Sequence, residues 1–135
     1  MPRARIDELE KDRPGPSFTA DTLAELHRLH PDIDVHLLLG SDCLPDMPGW
    51  HEPIRIVEQA GLLVAARAGW PILSPEDLRS ALHLPDQLPL RFQVVEVPEV
   101  HIASRDLRQR AAEGRSLRYL VPRAVECYIH EKRLY

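Results

Sequence analysis

Apolar residues along the chain fall into short runs separated by proline-rich turns, and the spacing within each run predicts its element. Residues 6–17 read as a strand end and a loop that closes on Arg13-Pro14-Gly15-Pro16-Ser17. Leu23, Leu26 and Leu29 then recur every three residues, as on one face of a helix. Thr22 and Glu25 have capping-box spacing and Thr19 is a competing N-cap, so two starts compete; Pro31 ends the segment. Val35–Leu39 is a nearly continuous apolar run, the pattern of a strand covered on both faces, and it leads straight into Gly40-Ser41-Asp42. Pro53 opens a short helix to Gln59 with Ile54 and Val57 expected inward. Leu62–Ala66 is a second buried strand, ending at Arg67.

Ser74-Pro75-Glu76-Asp77 is a helix start with an N-cap serine, proline at the first helical position and acids in the first turn. Leu78 and Leu82 supply that helix with its apolar side. Phe92, Val94, Val95 and Val97 predict a third strand. Ser104 is expected to cap a helix running through Leu107, Ala111 and Ala112 to a stop at Gly114. Pro122 starts a last helix with Val125, Tyr128 and Ile129 expected inward. Helices alternating with strands predict an α/β layer protein with a parallel sheet, and right-handed crossovers would place helices on both of its faces. One domain over residues 1–135 is expected.

Composition narrows the function classes. A formal charge of −4, from 17 Lys+Arg against 21 Asp+Glu, argues against the strongly basic face that nucleic acid requires. The 13 prolines sit between periodic segments, as loop punctuation. Cys43 and Cys127 lie far apart with no CxxC partner, which fits a reducing cytoplasm rather than a disulfide scaffold. The N-terminus carries no apolar signal-peptide core, and Gly61–Ala66, the longest uncharged apolar run, is too short to span a bilayer. A cytoplasmic protein with no membrane partner is expected.

In open parallel sheets, ligands bind beyond the carboxyl ends of the strands. The first end offers Gly40, where a backbone can approach closely, and Asp42, whose carboxylate accepts from ribose hydroxyls. The second offers the Arg67 guanidinium for a phosphate or carboxylate. Beyond the third, Ser104 begins a helix and Arg108 lies one turn on, together a candidate anion site. Each also has a plain structural reading, as turn cap, solvated strand end or N-cap. Trp50 sits in a loop where it either stacks on a flat heterocycle or plugs the core, and His51 either donates to a ligand or lies exposed. His27 and His30 lack a third ligand at zinc spacing, and Cys43 has no base nearby, so it reads as a structural thiol. Neither GxGxxG nor a Walker A loop occurs among the six glycines.

Taken in order, these motifs resemble those of the bacterial nicotinate mononucleotide adenylyltransferases. Gly15-Pro16-Ser17-Phe18-Thr19 with Asp21-Thr22-Leu23 resembles the family's G-P-S-Y-T-x-D-T-L, and Leu38–Asp42 its I-I-G-x-D. Gly49-Trp50-His51 resembles T-W-(Y/H), Ala66–Trp70 resembles R-R-P-G-Y, and Leu120–Ile129 through Leu134-Tyr135 resembles L-(V/L)-P-x-x-V-x-x-Y-I…L-Y. The resemblance implies a partial doubly wound, Rossmann-like nucleotidyltransferase sheet with flanking helices, and the reaction of ATP with nicotinate mononucleotide to give deamido-NAD and pyrophosphate. It further implies that Thr19 and the His51 amide hold the nicotinate carboxylate, that Trp50 stacks on the ring, and that Arg67 lies on the mononucleotide side. Gly40, Asp42, Ser104 and Arg108 would serve ATP, accompanied by Mg²⁺ without dedicated protein ligands.

Two departures from the family pattern stand out. The phosphate motif reads Ile102-Ala103-Ser104-Arg105-Asp106-Leu107-Arg108 where the family has I-S-S-T-x-x-R. A hydroxyl donor is lost and a cation gained, which either compensates the phosphate site or blocks it. The family's G-x-F-D-P-x-H-x-G-H turn, whose histidines stabilise the transferring phosphate, has no counterpart, so no catalytic residue is expected in this chain. Three readings follow: the C-terminal portion of the enzyme, inactive by itself; a short relative that binds nucleotide without turnover; or a remnant completed by a second chain, with a homo-oligomer or a separate N-terminal half as partner.

Overall fold

The computed structural model describes residues 4, 6–67, 69–98 and 102–135. The chain forms two compact units, Met1–Val97 and Pro98–Tyr135.

The first unit is a three-stranded parallel sheet with its crossover helices. Helix α1 spans Thr19–Leu29, strand β1 His36–Gly40, α2 Pro53–Gln59, β2 Gly61–Ala65, α3 Pro75–Ala81 and β3 Phe92–Val95. The strands lie in the order β1-β2-β3, with Leu39 opposite Val64 and Leu62 opposite Phe92. This is the α/β architecture the alternation predicts. Residues 6–17 contain turns rather than a strand end, the amides of Lys11 and Arg13 bonding the Glu8 and Glu10 carbonyls.

Paired residues of a parallel sheet share a face, so the register sorts the side chains. Leu39, Leu62 and Val64 point to one face and are buried in a cluster with Ala20 and Leu23 of α1, Ile56 and Val57 of α2, and Leu78 of α3. Leu38 and Leu63 point to the other face, and Leu38 is 63% exposed. A sheet ordered β1-β2-β3 moves in one direction at each step, so equal-handed crossovers put both helices on one side. The expectation that β1 is covered on both faces therefore fails for this unit. Strand β2 is buried on the same face, with Leu62 and Val64 at 0% exposure, and half-buried at Leu63 on the other.

Local chemistry fixes the helix ends. Ser74 caps α3 as expected, its Oγ accepting the Asp77 amide at 3.0 Å. Helix α1 starts at Thr19, with Phe18 as an N-cap that makes no side-chain bond. Thr22 does not cap it; its hydroxyl bonds the Glu10 carboxylate and lies 3.3 Å from the Phe18 carbonyl. In α2, Ile56 and Val57 are buried and Ile54 is exposed, one step out of phase with the expected pair. His27 Nε2 lies 2.7 Å from the Gln59 carbonyl, so this histidine ties α1 to the end of α2. Cys43 is half-buried against the core, in keeping with a structural thiol.

The second unit contains helices α4, Ser104–Ala112, and α5, Arg123–Lys132. Ala103, not Ser104, is the N-cap of α4, and Ser104 is its first helical residue. Gly114, at φ +66°, follows the C-cap Glu113 and ends α4 as expected. Val125 and Tyr128, expected inward on α5, are exposed, and Glu126 is buried instead, paired with Arg123 at 2.8 Å. Among the described residues, no helix is long and apolar enough to cross a membrane.

Candidate functional site

Two of the predicted groups lie on the first unit, and each is positioned by a short piece of backbone. Strand β1 ends at Gly40 and passes into a 3₁₀ turn, Ser41–Cys43, which brings Asp42 back over the strand end. A Cβ at position 40 would collide with the Asp42 carboxylate oxygen Oδ1, so this approach requires glycine. Arg67, just past β2, donates from a guanidinium nitrogen to Asp42 Oδ2 at 2.8 Å. Oδ1 is buried and has no hydrogen-bond partner, a state that costs free energy until a donor arrives. Asp42 and Arg67, named for different ligands by the family resemblance, are thus partners of one another in this structure. Ala68 of the same motif lies outside the described residues.

The second group is a cavity of about 270 Å³ lined by Ser17, Phe18, Thr19, Gly49, Trp50, His51 and Ile56. It lies between the start of α1 and the loop before α2. Trp50 is half-buried; it packs against the core, as one of its two readings has it, and also lines this cavity. His51 is exposed, and its ring faces Phe18 with centroids 4.2 Å apart at a 32° tilt. That contact pairs one wall of the cavity with the other.

Arg55, which sequence reasoning did not single out, holds this loop from behind. Its guanidinium is 2.6 Å from Glu52 and 3.8 Å from Asp21. Glu52 precedes α2 at φ +48°, a left-handed conformation that a non-glycine residue adopts at a cost. The hydrogen bond from Arg55 holds the Glu52 carboxyl below its usual range, against a smaller opposing effect of burial. Spacing offered one signal: Glu52 and Arg55 are three apart across a helix start. The role of Phe18 was legible only as part of its motif.

Donor atoms of Asp21, His51 and Glu52 lie within 4.8 Å of one another. Both carboxylates already face the Arg55 cation, and Mg²⁺ prefers an octahedron of oxygens with few protein ligands. The described residues therefore do not build a dedicated Mg²⁺ site. A larger cavity of about 490 Å³, bordered by Pro48, Ile54, Glu58 and His83, contains none of the predicted site residues.

On the second unit, Ser104 and Arg108 are both exposed on α4. No hydrogen bond or ion pair engages either side chain among the described residues, and the first turn of α4 has no side-chain cap. Its amides and the Arg108 guanidinium are therefore open to an anion.

No family model matches the chain. Its sequence is 42% identical over 134 residues to a Thermus thermophilus protein named "Probable nicotinate-nucleotide adenylyltransferase", covering 99% of this chain and 65% of the relative. The chain is a homologue of the nicotinate-nucleotide adenylyltransferases. A Thermomicrobium roseum relative of the same name is 42% identical and covered over 61% of its length, and a Mycobacterium relative is 36% identical and covered over 64%. The chain thus spans roughly two thirds of these relatives, 65% in the first case. Among solved structures, the fold is similar to Plasmodium falciparum nicotinic acid mononucleotide adenylyltransferase complexed with APC. The TM-score is 0.67 at 19% identity, over 90% of this chain and 60% of that one. A second structure of that protein, complexed with NaAD, gives 0.67 at 20% identity, over 89% and 58%. The Rossmann-like parallel sheet with flanking helices expected from the motifs is the fold these structures share.

Proposed function

We propose that this homologue provides the mononucleotide-binding part of a nicotinate-nucleotide adenylyltransferase, which joins ATP and nicotinate mononucleotide into deamido-NAD and pyrophosphate. The observation that carries this reading is the cavity between Ser17–Thr19 and Gly49–His51, made by two motifs far apart in sequence. Trp50 lines this cavity, and aromatic stacking on a ligand ring, beyond simple burial, is worth about 0.5–1.5 kcal/mol. The Thr19 hydroxyl and the His51 amide are donors for the carboxylate that distinguishes nicotinate from nicotinamide.

In this reading the mononucleotide phosphate attacks the α-phosphorus of ATP; one P–O bond forms as another breaks, and pyrophosphate leaves. The protein has positioning and charge stabilisation to supply, with no covalent intermediate. Asp42 Oδ1 takes a ribose hydroxyl, satisfying its open acceptor. Arg67 supplies positive charge on the mononucleotide side, and Ser104 with Arg108 contacts the ATP phosphates. Mg²⁺ would accompany those phosphates, with no dedicated protein ligands. The protein works in the cytoplasm.

A second reading is a module that binds nucleotide without catalysis. Ala103 and Arg105 in the phosphate motif favour it, since a hydroxyl donor is exchanged for a cation. Calorimetric titration separates the two. Nicotinate mononucleotide and ATP both bind under the first reading, and a chain that binds the mononucleotide but not ATP supports the second. Absence of saturable mononucleotide binding overturns both.

A further inference from the structure

Ser41 is fully buried and has no part in the roles above. Its hydroxyl leaves the end of β1 and reaches the segment that follows β2. There it accepts the Arg67 amide at 3.0 Å and donates to the Trp70 carbonyl at 3.3 Å. Those residues are the two ends of one tight turn, closed by the Trp70 amide on the Arg67 carbonyl at 3.1 Å, with Gly69 at φ +79°. One hydroxyl therefore holds both ends of the turn, using its donor and an acceptor position.

The turn aims Arg67. Its side chain is 55% exposed, and its one ion pair among the described residues is with Asp42, itself 24% exposed. Exposed ion pairs contribute little, typically about 0–1 kcal/mol, because water screens them and long side chains lose freedom. Such a pair does not hold a backbone turn in place. A buried hydroxyl does, because losing it strands the Arg67 amide without a partner.

We propose that Ser41 is a positioning residue that pins the Arg67 backbone, so that the guanidinium occupies Asp42 Oδ2 and leaves the buried Oδ1 as the one unpartnered acceptor of that carboxylate. The consequence for binding rests on the reading of Asp42 and Arg67 as ligand-facing groups; the positioning does not. Ser41 is adjacent to Asp42, so one two-residue step sets both the carboxylate and the cation that shares it.

The test uses the full ¹⁵N-labelled chain and the variants Ser41→Ala, Ser41→Cys and Asp42→Asn. In Ser41→Ala, amide exchange at Arg67 is expected to accelerate roughly tenfold or more, the scale of one lost buried hydrogen bond. The Val64 amide, inside the β2 ladder, should stay within about twofold. The Arg67 Nε resonance should move toward its position in Asp42→Asn, as both variants dissolve the same pair. Equal acceleration at Arg67 and Val64, or an unmoved Nε resonance, would overturn the proposal. Should Ser41→Ala not fold, Ser41→Cys keeps the volume while weakening both bonds, and the same two resonances decide. Titration with ATP adds the functional arm: Ser41→Ala and Asp42→Asn should each weaken binding, and adding Ser41→Ala to Asp42→Asn should cause no further loss. Failure of the wild-type chain to bind ATP would overturn the ligand assignment of Asp42 alone, since the exchange and Nε readouts need no ligand.

Discussion

Leu38 and Leu62 are the same residue type on neighbouring strands, yet the fold assigns them opposite energetic roles. Leu62 lies in the central strand at 0% exposure, flanked in register by Leu37 and Phe92. Truncating it to alanine removes a buried isopropyl group and leaves a cavity in the core cluster on the helix-covered face of the sheet, at a cost of about 2–5 kcal/mol. With Leu39 and Val64 close by, the site has little room to collapse, so about 3 kcal/mol is expected. At roughly 4–8 °C per kcal/mol for a unit of this size, Tm should fall by about 12 °C or more. Leu38 points to the opposite face and is 63% exposed. Leu38→Ala should therefore change stability by less than about 0.5 kcal/mol, the range of surface substitutions. Urea unfolding monitored by circular dichroism reads both numbers, and an unchanged m value confirms that the states compared are the same. A loss above about 2 kcal/mol for Leu38→Ala would refute the one-faced core.

Other expectations follow from particular contacts. Gly40→Ala should force the Asp42 carboxylate aside and break its pair with Arg67, which a shift of the Arg67 Nε resonance toward that of Asp42→Asn would register; an unmoved resonance would contradict the close approach. Ser74→Ala removes the hydroxyl that accepts the Asp77 amide and should cost about 1 kcal/mol in urea unfolding. The carboxyls of Glu25, Asp34 and Glu52 are held below their usual ranges chiefly by hydrogen bonds from Arg28, Arg91 and Arg55. A carboxyl depressed on folding stabilises above its unfolded pKa and loses that contribution as pH falls through the folded value. Stability should therefore be level near neutrality with respect to these groups and decline in the acid carboxylate range, and Asp34→Asn should flatten that decline.

Much of the architecture was legible where local chemistry and tertiary packing agree. The Ser74-Pro75-Glu76-Asp77 start needed no long-range information, because its cap is completed within three residues. The β2 run was legible because Leu62 and Val64 bury one face of the central strand and Leu63 is still partly covered on the other. Legibility failed where a distant partner decides. Thr22 had a capping sequence, but Glu10, twelve residues away, claims its hydroxyl. Ile56 rather than Ile54 faces inward because the phase of a seven-residue helix is set by what it packs on. Apolar residues were expected to define the inner face of α5, yet Glu126 is the buried one, its carboxylate paired with the exposed Arg123 at 2.8 Å. At the site, Asp42 and Arg67 were each visible as strand-end residues, but their pairing was not. It arises from adjacent parallel strands whose ends the sheet brings together.

In the proposed function, the cavity between Thr19 and Trp50–His51 takes a pyridine mononucleotide bearing a carboxylate. The most direct test is calorimetric titration of nicotinate mononucleotide, with nicotinamide mononucleotide as comparator, into the wild-type chain and Trp50→Ala. Saturable binding of the acid, weaker binding of the amide, and a loss of roughly tenfold in Trp50→Ala, about 1.4 kcal/mol, are predicted. Equal affinity for acid and amide, or an affinity untouched by Trp50→Ala, would contradict the claim.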